Sequence, residues 1–297
     1  MNNESTPSKE RRAELLLLIV VVIWASNFPI AKFGIQGLDI FLFNGIRYVS
    51  AFIVMVVLFR LRFTWQETSR DDWLKMIGIG FLANVVYQLA FIVGLKFTTA
   101  GNSAILLATS PLWTVFWNAR LHKEAIERTV WFGMGLSLVG IILIITGSGR
   151  AIEFGSRGMI GDVVSLAAAM LWALNTNFQK PLLTTYSTMQ LSVIMVAVGA
   201  VVHALLALPD ALTISWQTLS PTYLLAGVIS GVLSIGVANI LWSHGVKRLG
   251  PSRTANMSNL TPVLAFLISY LTLDEQISWL HVVGGAVTLL GIWIVRR

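Results

Sequence analysis

Residues 24–32 read WASNFPIAK, and residues 172–180 read WALNTNFQK. Trp24, Ala25, Asn27 and Lys32 stand opposite Trp172, Ala173, Asn175 and Lys180 at a constant offset of 148, with Glu14 opposite Asp162 upstream. Further on, at an offset of 151, Gly80 meets Gly231, Gln88 meets Asn239, Gly94 meets Gly245 and Lys96 meets Lys247. The same offset pairs Pro111 with Pro262, Glu124 with Glu275, Gly133 with Gly284 and Gly140 with Gly291. Matched leucines would mean little in an apolar chain. Matched Trp, Asn, Lys, Pro and Glu along one diagonal mark an internal repeat, read as 1–150 and 151–297.

The repeat sits in an unusual composition. Of 297 residues, 56% are apolar and 12% charged, and mean hydropathy is +0.75. A soluble domain carries roughly 25% charge, so a soluble enzyme, a disordered chain and a disulfide scaffold are all disfavoured. There is no cysteine, hence no disulfide, thiol nucleophile or thiolate metal site. The apolar residues fall in blocks long enough to cross the bilayer core, about 30 Å at a helix rise of ~1.5 Å per residue. Ten such blocks are expected: 13–33, 39–60, 73–96, 100–120, 128–147, 158–180, 187–208, 221–247, 251–273 and 279–295. In lipid, spans of this length should be helices. The first follows Lys9, Arg11 and Arg12 without a clean cleavage site, so it reads as a retained helix rather than a signal peptide.

With the N-terminus inside, sixteen Lys and Arg fall in inner segments and four (Lys32, Lys96, Arg150, Arg157) in outer ones, while Arg47 lies within a span. The positive-inside rule therefore predicts that both termini are cytoplasmic. It also assigns the net charge of +7 to the membrane surface rather than to nucleic acid. Five spans per repeat is an odd number, so the second repeat enters the membrane from the opposite side. Inverted repeats of this kind typify secondary transporters, with substrate near the midplane. The expected fold class is an all-α membrane protein of ten helices, two inverted five-helix repeats around a central cavity.

Several segments resemble a known family: WASNFPIAK (24–32), NGIRYVSA (44–51), SPLWTVFWNARLHKEAI (110–126), GPSRTANMSNLTPVLAFLISYLTLDEQIS (250–278) and the glycine-spaced last span. They are similar to the EamA-type members of the drug/metabolite transporter superfamily over nearly the whole chain. Within that superfamily the chain looks most like bacterial YddG-type exporters of aromatic amino acids. The resemblance implies an inner-membrane carrier, a peripheral pair formed by spans 5 and 10, and a structural role for an arginine at Arg47.

The residues themselves suggest where a substrate would bind. Asn84 and Gln88 lie one turn apart in span 3, beside Tyr87 and Phe91. Asn239 and Ser243 repeat the spacing in span 8, beside Trp242. Asn27 and Asn175 are repeat-related. Amides both donate and accept, as a zwitterion requires, although interhelical hydrogen bonding explains any one of them equally well. The cluster as a whole favours a cavity. Trp65, Trp73, Trp131, Trp216, Trp279 and Trp293 lie near span ends, where an interfacial belt accounts for them. Trp24, Trp113 and Trp172 lie mid-span and are expected to wall the cavity.

Pro29, Pro111 and Pro262 fall inside spans and predict kinks, either gates or fixed bends. Gly133 with Gly140, and Gly284 with Gly291, predict close packing of spans 5 and 10, with a weak homodimer through that face as one possibility and a monomer as the other. Arg47 either binds a carboxylate or braces the fold, and bracing is favoured. His244 reads as interfacial, His203 is a weaker candidate, and Lys32 and Lys180 terminate spans. No Asp or Glu lies mid-span, so no carboxylate proton relay is visible. There is no phosphate loop and no HExxH, and the Gly78–Ala83 mimic of a dinucleotide motif lies inside a span. The chain is read as no enzyme, with no cofactor and no metal. Its partners are the lipid bilayer and a small solute. Hydrophobic amino acids are the first expectation, with a nucleobase, sugar derivative or drug as the alternative.

Overall fold

A computed structural model describes residues 7–62, 64–122, 128–147, 157–217, 219–249, 254, 257–258, 260–273 and 278–295. Among them there are helices and connectors, and no strand. In chain order the helices are α1 (Pro7–Gly37), α2 (Ile40–Arg62), α3 (Arg70–Phe81), the π-helical turn π1 (Leu82–Val86), α4 (Tyr87–Phe97), α5 (Ala100–Leu107) and α6 (Ser110–His122). They continue with α7 (Arg128–Gly147), α8 (Arg157–Thr185), α9 (Thr188–Thr213), α10 (Pro221–Ser230), the turn π2 (Gly231–Val237), α11 (Ala238–Leu249), α12 (Leu260–Leu273) and α13 (Trp279–Val295).

Six continuous helical stretches are long and apolar enough to cross a membrane: Glu10–Gly37, Ile40–Leu61, Arg70–Phe97, Arg157–Thr185, Thr188–Thr213 and Pro221–Leu249. Trp131–Ile144, Leu260–Leu273 and Trp279–Gly291 are shorter apolar helices. Large apolar side chains such as Leu15, Ile53, Ile142, Val201, Leu205 and Leu267 point outward, as a lipid environment requires. Glu124, Glu275, Lys123, Arg150, Arg253, Arg296 and Arg297, used in reading the repeat and the orientation, lie outside the described residues.

Two features depart from uninterrupted spans. The stretch expected as one helix over 100–120 breaks at Ala108 and Thr109. Pro111 has no N–H to return to the Leu107 carbonyl, and the Ser110 hydroxyl donates to that carbonyl instead. The chain resumes with the Leu112 N–H donating to the Thr109 carbonyl at 2.9 Å. The second departure is the pair of π turns. Each inserts an extra residue, so that the Tyr87 N–H reaches back to the Leu82 carbonyl and the Ala238 N–H to the Leu233 carbonyl. One backbone carbonyl within each turn also receives a side-chain donor from another helix. Asn84 O receives His203 Nε2 at 2.8 Å, and Ser234 O receives the Trp24 indole N–H at 3.3 Å. Pro29, by contrast, sits inside the continuous α1 without a break.

Packing brings distant segments together. α2 lies along α9, and α7 along α13. α1 packs on α11 and α12, while α8 packs on α4 and α6. The α7–α13 contact depends on small residues. A Cβ on Gly140 would lie 2.6 Å from Gly284 O, one on Gly284 would lie 2.7 Å from Gly140 O, and one on Gly291 would lie 2.5 Å from Gly133 O. These glycine faces are therefore occupied by each other within one chain.

Candidate functional site

A cavity forms where α1, α4, α8, π2 and α11 converge beside the broken α5–α6 segment. α1 contributes Trp24, Asn27 and Phe28, which share a face at helical spacing, and α4 contributes Tyr87, Gln88 and Phe91. Trp172 enters from α8, Ser234 and Ile235 from π2, and Asn239 from α11. Arg47, Ser110, Ser258, Thr261 and Pro262 complete the polar and outer parts of the lining. The space free of protein atoms, its open mouth included, is about 720 Å³.

The apolar wall is a box of rings. Trp24 meets Trp172 edge-on at 5.4 Å between centroids, and Tyr87 lies 5.1 Å from Trp172. Phe91 stacks on Tyr87 at 6.3 Å and meets Phe28 edge-on at 5.7 Å. Trp242 packs 5.0 Å from Trp24 and 6.0 Å from Trp172. It is buried, lines no cavity, and buttresses the two tryptophans from behind. Such ring pairs add stability beyond their buried area, and they hold the wall rigid.

The polar groups are mostly engaged with one another. Ser230 Oγ donates to Asn27 Oδ1 at 2.6 Å. Tyr48 Oη donates to Asn84 Oδ1 at 3.2 Å and also faces Gln88 Oε1 at 3.5 Å. Asn239 Nδ2 donates to the Ile235 carbonyl at 2.9 Å, and Gln179 Nε2 to Asn175 Oδ1 at 2.7 Å. Two buried donors lack a partner here, Gln88 Nε2 and Arg47 Nε. No group of three or more His, Cys, Asp or Glu among the described residues is placed to hold a metal.

The predicted residues do not all converge. Trp24, Asn27, Tyr87, Gln88, Trp172, Asn239 and Pro262 line the main cavity. Asn84, Asn175 and Ser243 line a smaller neighbouring space with Gln179 and Ser192, and Trp172 and Asn239 border both. Trp113 lies outside either space. Its indole donates to Thr109 Oγ1 at 3.2 Å, and its ring meets Phe116. Pro29 lines a separate apolar crevice with Phe33, Leu225 and Ile268, and Pro111 shapes the α5–α6 break. Arg47, read from sequence as a brace, sits in the main cavity wall.

Phe28, Tyr48, Ser230, Ser234 and Gln179 were not singled out from sequence. Gln179 was findable, being one turn from Asn175 as Gln88 is from Asn84. Tyr48 and Ser230 carried no such signal, because only the packing of α2 and α10 places them beside π1, α4 and α1. Lys32, at the end of its span, donates its ammonium to the carbonyls of Leu95 and Thr98 at 2.6 Å each and of Lys96 at 3.3 Å, capping the end of α4.

Comparison with known proteins adds the following. A model described as the EamA-like transporter family matches residues 11–146 and again 159–297. A protein of Archaeoglobus fulgidus named as a transporter is 26% identical over 287 residues, 95% of this chain and 96% of its own length. The Bacillus subtilis transporter YdfC is 27% identical, over 92% of this chain and 87% of its own. A Streptantibioticus cattleyicolor protein named as a probable terminal-alkyne amino-acid exporter is 25% identical, over 97% and 95%. One solved crystal structure shares the fold, with a TM-score of 0.67 at 18% identity over 96% of this chain and 98% of that one.

Proposed function

The chain belongs to the EamA-like transporter family, and from that membership we propose that it exports amino acids, chiefly aromatic and other hydrophobic ones, by alternating access around the main cavity. The observation that carries this is the cavity lining. A box of Trp24, Phe28, Tyr87, Phe91 and Trp172 stands beside neutral amides and a single cation, Arg47. Aromatic walls accept a large apolar side chain, and amides serve both ends of a zwitterion. A strongly anionic substrate is disfavoured by the one positive charge. The relative named as an amino-acid exporter fits the same substrate class, and the YddG-type resemblance narrows it to aromatic amino acids.

We read the architecture as two inverted five-span repeats. Four observations support this: the offsets of 148 and 151, the two family matches, the π turns near equivalent positions, and the exchange of packing partners between repeats. In that exchange, α1 on α11 corresponds to α8 on α4. Such a pair of repeats can rock about a central site, with the break before Pro111 and its repeat mate Pro262 as bending points. We take the chain to lie in a bacterial inner membrane with both termini cytoplasmic, a reading the distribution of basic residues supports. We take the chain to act as a monomer, or as a weak homodimer through the α7–α13 side. Because the glycine faces are already filled, a second copy would meet the outer faces carrying Phe132, Val139 and Val282.

Proteoliposomes preloaded with unlabelled phenylalanine test the substrate reading. Saturable uptake of labelled phenylalanine is expected. If no amino acid exchanges faster than in empty vesicles, the substrate class is wrong, whatever the fold.

A further inference from the structure

The main cavity holds a charge that no described side chain neutralises. Arg47 is 1% exposed. Among the described residues no carboxylate forms an ion pair with the Arg47 guanidinium within 4.0 Å. Its Nη1–H donates to Asn44 Oδ1 at 2.8 Å, and its Nε–H has no acceptor. The faces of Phe43 and Phe91 lie 5.6 and 5.7 Å from its central carbon. Rings and one amide stabilise a guanidinium only in part, and an ionised group away from water calls for a counter-charge. A second buried donor without a partner, Gln88 Nε2, lines the same cavity.

We infer that Arg47 is the residue that binds the carboxylate of the transported solute, with Gln88 as the auxiliary donor. The inference rests on the amino-acid reading above and assigns it an orientation. Phe91 touches both the arginine and the aromatic box, so a carboxylate at Arg47 sets a nearby side chain against Tyr87, Phe28 and Trp172. A monoanion matches the single cation, whereas a phosphate dianion would leave charge uncompensated in a ring-lined space. Gly231 keeps the arginine in place, because π2 packs directly on the Arg47 backbone.

The test compares three probes on the purified full chain in lipid nanodiscs: L-phenylalanine, L-phenylalaninamide (no carboxylate) and 3-phenylpropionate (no ammonium). Wild type should bind the amide about tenfold to a hundredfold more weakly than phenylalanine. Arg47→Gln should reduce that difference to about twofold or less, and Arg47→Lys should restore part of it. A brace alone would lower stability without changing the ratio. If wild type binds amide and amino acid equally, Arg47 does not hold the carboxylate, and amino-acid transport still stands. If wild type ignores amino acids but binds 3-phenylpropionate through Arg47, the carboxylate site stands and the amino-acid reading falls. If it binds none of the three, both fall. Should Arg47→Gln not fold, the wild-type ratio decides alone.

Discussion

Gly231 lies directly on Arg47. A Cβ placed on the glycine would fall on the arginine's carbonyl oxygen and 2.6 Å from its Cα. The first residue of π2 thus lets one helix approach the backbone of α2 at the residue whose side chain enters the cavity.

Gly231→Ala should therefore destabilise the protein by about 1–3 kcal/mol, the usual cost of overpacking. Gly78→Ala and Gly135→Ala, where a Cβ meets nothing within 4 Å, should stay within about 1 kcal/mol of wild type. Thermal unfolding in one detergent checks the contrast, and equal losses at all three sites would contradict it.

Lys32→Met removes three hydrogen bonds from the end of α4 and should cost about 1–3 kcal/mol. Its repeat mate Lys180 is exposed, so Lys180→Met should change stability by no more than about 0.5 kcal/mol. The same melting assay reads both. A larger loss at Lys180 would show that the two lysines are not in the different surroundings described.

His203 stacks on Tyr48 at 4.5 Å and its Nε2 bonds the Asn84 carbonyl of π1 at 2.8 Å. His203→Phe keeps a ring for the stack but removes that hydrogen bond, with an expected loss of about 1 kcal/mol. Amide hydrogen exchange should rise locally in Leu82–Val86. Unchanged protection there would mean the bond contributes nothing to the turn.

Trp172→Ala should lower phenylalanine counterflow about tenfold or more, because Trp172 contacts Trp24 and Tyr87 in the cavity wall. Trp113→Ala, outside both spaces, should leave counterflow within about twofold at matched protein yield. The reverse ranking would move the site toward α6.

Some of this was legible in the residues alone. Lipid demands runs of about twenty apolar residues, so the long helices could be read from hydropathy, and the close α7–α13 pair from Gly133, Gly140, Gly284 and Gly291. Rare polar residues inside apolar blocks marked Trp24, Asn27, Tyr87, Gln88, Trp172 and Asn239, which come to line the cavity. Orientation of faces was not legible. In a membrane helix the lipid side and the protein side are both apolar, so hydropathy does not say which side turns inward. Trp113 and Trp172 look alike by depth, yet one faces Phe116 and the other the cavity.

The residue pattern by itself determined that the chain is helical and membrane-embedded, because these follow from local composition and spacing. Only the tertiary structure decided where Arg47 points and which side chains donate to the Asn84 and Ser234 carbonyls of the π turns. Those depend on α1, α2, α9 and π2 meeting across more than a hundred residues of chain, and packing at that separation leaves no local trace in sequence.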